Sequence, residues 1–86
     1  MPRISAFYGI VIAMYFDDHP PPHFHAKYGA HEAQIEIVTS EVLHGELPRR
    51  ALNLVRESTA LHRAELVADW ERAERDEPLV SIDPLP

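Results

Sequence analysis

Three histidines stand within seven residues, His19-Pro-Pro-Pro-His-Phe-His25, and two carboxylates, Asp17 and Asp18, immediately precede them. Residues two apart on a strand project from the same face, so His23 and His25 form a pair of imidazoles. The proline bridge brings His19 back toward them. Two same-face imidazoles and a third ligand are what a zinc or other first-row metal site needs, with a position left open for water. In that reading His19, His23 and His25 are the candidate ligands of a divalent metal such as zinc. Glu36, across a hairpin from His23, offers a carboxylate.

The same face permits metal-free chemistry. His23 or His25 would act as general acid or base near neutral pH, with Glu36 orienting the ring and Lys27 or Arg3 stabilising a developing phosphate charge. That arrangement suits cleavage of RNA through its 2′-hydroxyl, although the carboxylates on the face would repel a phosphate backbone. A polar, exposed sheet face rimmed by histidines requires neither chemistry, and spacing alone does not choose among the three. His-Phe-His also matches the His-hydrophobic-His element of single-strand nicking enzymes. Those need a tyrosine on a helix, and the helical region here contains none.

The elements that position these residues follow from local patterns. Residues 10–16, IVIAMYF, are β-branched or apolar on both faces and read as a central strand, preceded by a strand over residues 4–8 with Gly9 as corner or bulge. Three consecutive prolines favour a stiff polyproline II connector. Residues 23–28 and 31–38 then form a hairpin around Gly29-Ala30, with glycine at the first central position of a type II′ turn. The implied register pairs Tyr28 with His31, Lys27 with Glu32, Ala26 with Ala33, His25 with Gln34, Phe24 with Ile35 and His23 with Glu36. It places Phe24, Ala26, Ala33 and Ile35 on the core face and His23, His25, Lys27, Glu32, Gln34 and Glu36 on the polar one. A slip of one residue would destroy that segregation. A short strand over residues 42–47 follows, with a possible bulge at Gly45.

Pro48 fits the first turn of a helix. Ala51, Leu52, Val55, Ser58, Thr59, His62, Leu66, Trp70 and Ala73 then recur at three- and four-residue steps, an amphipathic stripe. A straight helix over residues 48–75 would span roughly 40 Å, so a kink or break near residues 58–61, or a protruding end used by a partner, is expected. Trp70 reads as the anchor of helix to sheet and His62 as a hydrogen-bonded core residue. His31 and His44 carry no specific signal. Glu65, Asp69 and the acidic residues over 71–77 read as a solvated face or as a surface for a basic partner. Pro78 ends the helix, and residues 79–82 can add an edge strand to the extended tail over 78–86. The expectation is one α+β domain over residues 1–86: a mostly antiparallel sheet of four or five strands in residues 4–47, packed by a long or kinked helix, or helix pair.

Composition limits the chemistry. At 86 residues the chain buries a modest core, so a site must be a shallow groove or a sheet face. Without cysteine there is neither a disulfide nor a thiolate metal site. The net charge of −6 argues against a free-standing DNA-binding module but leaves local RNA chemistry open. The N-terminal MPRISAFYGI lacks the small-residue cleavage site of a signal peptide, and residues 10–16 are too few to cross a bilayer. A cytoplasmic protein without a membrane partner is the expectation.

The run PRISAFYGIVIAMYFDDHPPPHFHAKYG, with GELPRRALNLV, LHRAELVADWERA and EPLVSIDPL, resembles a bacterial family, domain of unknown function family 4160. The resemblance covers essentially the whole chain and is most specific at Tyr8-Gly9-Ile10, the HPPPHFHA block, Gly45-Glu46-Leu47-Pro48 and the stretch from Leu61-His62-Arg63 to Trp70. It implies a toxin component of a type II toxin–antitoxin module, restrained by a small cognate antitoxin protein. No catalytic residue is carried over by it. On this view the histidine face engages RNA or another intracellular target, and the acidic helix docks the antitoxin. The alternative is a non-enzymatic module that binds a metal or a protein; a third reading makes the long helix a homo-oligomerisation element.

Overall fold

Two-residue loops join β1 (Arg3–Phe7) to β2 (Ile10–Ala13) and β3 (His23–Tyr28) to β4 (His31–Glu36), so each pair can close only as an antiparallel hairpin. With β5 (Val42–Glu46) they form a five-stranded sheet in the order β1-β2-β3-β4-β5, antiparallel throughout. The computed structural model describes residues 3–86. At the first hairpin Tyr8 and Gly9 have φ of 50° and 79°, the two positive values of a type I′ turn. At the second, Gly29 has φ of 58° and Ala30 is not in the positive region, as a type II′ turn requires.

The register of β3 on β4 contains all six expected pairs, from His23 opposite Glu36 to Tyr28 opposite His31. One face of the sheet carries Ile10, Ile12, Phe24, Ala26, Ala33 and Ile35, all buried. Gly9 is the corner of the first hairpin, as expected, while the β1–β2 register shifts at Ile4 and the β4–β5 register at Leu43, not at Gly45. Strand β2 is interior but ends at Ala13. Residues 14–22 leave the sheet there, the first of them, Met14, buried in the core cluster.

Gly45 has a different role from a bulge. Its φ is 76°, and a Cβ at that position would overlap the backbone of Glu32 and lie 3.1 Å from Ala33 Cα. Gly45→Ala is therefore expected to destabilise the domain by about 2 kcal/mol or more, combining the left-handed penalty with displacement of a strand. Thermal unfolding should show a drop of roughly 10 °C. Gly29→Ala, where nothing lies within 4 Å of the added Cβ, incurs only the φ penalty and should shift the midpoint less.

The helix α1 (Arg49–Glu74) starts after Pro48, which has extended backbone and no side-chain cap. Straight, its 26 residues would measure about 39 Å, more than the 33 Å longest dimension of the molecule. It bends at His62, with φ −121° and ψ 25°, one residue beyond the expected stretch. Arg63 secures the second half by donating from Nε to the Ile37 carbonyl (3.0 Å) and from its guanidinium to Ser40 Oγ (3.1 Å). His62 is half-buried and pairs with Glu65 at 2.7 Å.

Two expectations for the C-terminal third are corrected. Asp69 is not on a solvated face; it is fully buried, and its Oδ1 accepts from Arg72 (2.8 Å) and from the Val80 amide (2.9 Å). Residues 79–82 form no strand. Asp69 holds the Val80 amide at the helix, and the tail joins the first hairpin by the Ile82 amide to the Ile4 carbonyl and by the Tyr8 hydroxyl to the Pro86 carbonyl, burying Ile82 and Leu85. No helix among the described residues is long and apolar enough to cross a membrane.

Candidate metal centre

The strand period sends Phe24 to the core and His23 and His25 to the opposite face, as expected, yet that face is not exposed at this end. His23 is 4% and His25 7% accessible. Two covers account for the difference. Residues 14–22 fold back over the face, turning at Phe16-Asp17 and bending at Pro20-Pro21, whose peptide bond is cis, where an extended polyproline II path was expected. Tyr15, just past the end of β2, sets its ring edge-on to His25 with centroids 4.5 Å apart. From the helix, the Trp70 ring lies 5.3 Å from that of His23. Trp70 thus anchors the helix, as expected, and also walls the histidine pair.

Between the two imidazoles stands Asp18. Its Oδ2 is 3.1 Å from Nε2 of His23 and 2.9 Å from Nε2 of His25. Ligand atoms from Asp18, His23 and His25 all lie within 4.8 Å of one another. Each ring is oriented through its other nitrogen. His23 Nδ1 is 2.8 Å from the Pro21 carbonyl, an acceptor only, so Nδ1 carries the proton and donates it. His25 has a carboxylate at each nitrogen, Glu32 Oε2 at 3.3 Å from Nδ1 and Asp18 Oδ2 at 2.9 Å from Nε2, and the tautomer that donates from Nδ1 to Glu32 leaves Nε2 as an acceptor.

With both Nδ1 atoms protonated in neutral rings, the two Nε2 lone pairs and Asp18 Oδ2 are three acceptors side by side, which cannot satisfy one another. A proton on His25 Nε2 would serve the bond to Asp18. It would not serve His23, whose buried Nε2 is poorly aligned with Asp18 and has no hydrogen-bond partner. A metal ion would serve all three. Tetrahedral coordination with bonds of about 2.0–2.2 Å separates ligand atoms by about 3.4 Å, so the two spacings to Asp18, 2.9 and 3.1 Å, need to open by only a few tenths of an ångström.

The remaining sequence candidates are placed around this group. His19 is exposed and lines the adjoining cleft; Asp18, its neighbour, is the residue brought between His23 and His25. Glu36 lies opposite His23 in the register, but the carboxylates on the two rings are those of Asp18 and Glu32. The Glu36 backbone closes the β4–β5 turn, donating to Glu41 and accepting from Ser40. Lys27 is half-buried, opposite Glu32. Glu32 was legible as the diagonal neighbour of His25, because His25 faces Gln34 and long side chains reach across i, j±2 positions.

The cleft beside the cluster has a volume of about 390 Å³ and is lined by Asp18, His19, Pro20, Pro21, His23, Gln34, Leu43 and His44. Two of these lining residues follow from the register: Gln34 and His44 are paired across β4 and β5, in the row that continues to His25 on β3.

Residues 9–71 match the model of a protein family described as a domain of unknown function (DUF4160). No curated protein and no solved structure matches the chain.

Proposed function

The chain belongs to the DUF4160 family, and from its geometry we propose that the domain binds a divalent first-row metal through Asp18, His23 and His25. The observation that carries this reading is the convergence of three acceptor atoms, one of them the buried, unpartnered Nε2 of His23. Two nitrogens and one oxygen favour zinc, or iron(II) in a two-His-one-carboxylate arrangement, over calcium or magnesium. Three protein ligands, not four, leave a position for water or a ligand oxygen, which is the pattern of a reactive site and not of a structural one. Glu32 behind His25 and the Pro21 carbonyl behind His23 supply the outer contacts that fix a ligating imidazole.

Metal analysis after purification and titration of the stripped protein provide the test. One equivalent of zinc or another first-row ion is expected in the native chain, and none in Asp18→Ala or in His23→Ala/His25→Ala. A folded native chain that takes up no first-row ion overturns the reading. A toxin restrained by an antitoxin would have to work through this same cleft. Expression of the native chain should then arrest growth, co-expression of the partner should relieve it, and the double histidine variant should be inert. Undisturbed growth removes the toxin role and leaves the metal site standing.

A further inference from the structure

The cleft in front of the ligand set is chemically unlike the surface around it. Asp and Glu outnumber Lys and Arg by 14 to 8 in the chain, yet among the described residues lining this cleft the only carboxylate is Asp18, which belongs to the metal group. The other polar lining groups are His19, His23, His44 and Gln34. A neutral imidazole offers one N–H donor and an amide offers two. Asp18 and His23 are common to the lining and the ligand set, so the cleft adjoins the ligand group at these two residues.

The donors come from two sides. His19 belongs to the connector, while Gln34 and His44 are paired across β4 and β5. His19 and His44 are both exposed, free to turn their rings toward an occupant. An anion with several oxygens at tetrahedral angles can place one on the metal and present the others to donors on both walls. A planar carboxylate has only two oxygens. Pro20, Pro21 and Leu43 provide apolar surface along the same cleft, suited to an organic group attached to the anion. A volume near 390 Å³ lies in the range of small-molecule sites and is too small for a folded partner.

We propose that this cleft binds a small phosphate ester of nucleotide size, with one phosphoryl oxygen on the metal and others hydrogen-bonded by His44, Gln34 and His19. The proposal rests on the metal reading above. The chain's net charge of −6 does not oppose it, since the metal cation and the local donors act at contact distance and the remaining charges are screened beyond about 8 Å in physiological salt.

Calorimetric titration of the zinc-loaded protein with AMP, inorganic phosphate and acetate tests it. AMP should bind more tightly than phosphate, and phosphate more tightly than acetate. Stripping the zinc should abolish binding of all three. His44→Ala should weaken AMP and phosphate about tenfold, the scale of one lost hydrogen bond to a charged group, leaving zinc affinity and acetate binding unchanged. If zinc binds but AMP and phosphate do not, or if they bind no better than acetate and are indifferent to His44→Ala and Gln34→Ala, the phosphate proposal fails and the metal site stands. If zinc itself does not bind, both fail.

Discussion

Replacing Trp70 with alanine is expected to destabilise the domain by about 3–5 kcal/mol and to weaken metal binding at a site to which Trp70 contributes no ligand atom. The side chain is 5% accessible and sits in the core cluster with Leu66, Ile82 and Leu85. Removing it leaves a cavity where helix and sheet meet, at the end of the helix beyond the bend. A domain of this length has a total stability of roughly 4–13 kcal/mol, so the loss is a large share of the whole. The second effect comes from His23. Its ring is held between the Pro21 carbonyl on one edge and Trp70 at 5.3 Å. Without the indole the ring gains rotameric freedom that metal binding must then remove. Denaturant unfolding and zinc titration, both performed below the midpoint of the variant, separate the two losses. Trp70→Phe keeps a ring against His23 and is expected to retain metal binding at a smaller stability cost. Equal metal affinity in native and alanine chains would show that the indole does not position His23.

The hairpin was readable in the sequence because its information is local. Gly29 fixes the turn, and the alternation of Phe24, Ala26, Ala33 and Ile35 with polar residues admits one register, so all six pairs fall where expected. The burial of the other face was not readable by the same means. Alternation says which residues point away from the core; it does not say what else folds over them. The cover consists of Tyr15 and Asp18 from a proline-rich connector and Trp70 from a helix more than forty residues onward. The helical stripe had similar reach. It locates Leu66, Trp70 and Ala73 on the buried side, and Asp69 falls within the same stripe, a position that argues for a partnered acid. Its partner is a backbone amide in the tail, which periodicity cannot identify.

The two glutamates of β4 provide the sharpest contrast between what register implies and what the folded site does. Register alone puts Glu36 beside His23, its directly opposite residue. In the folded site it is Glu32, diagonal to His25, whose carboxylate lies 3.3 Å from the imidazole Nδ1. Glu32 is half exposed, so its loss removes no core packing and leaves no buried charge. Its contribution is to hold the His25 ring with Nε2 facing Asp18. Glu32→Gln keeps the length and an acceptor oxygen but removes the charge. It is expected to weaken zinc binding by about 10–100-fold with little change in unfolding midpoint, the range typical of an outer-shell partner. Asp18→Asn, which replaces a ligand, should cost more than about 100-fold. Glu36→Gln should change neither quantity, because no ring nitrogen of the cluster rests on Glu36. Competition titrations of zinc against a chromophoric chelator give all three affinities on one scale. The order Asp18 above Glu32 above Glu36 is the signature of the observed geometry. A larger effect at Glu36 than at Glu32 would restore the arrangement that register alone implies and remove Glu32 from the site.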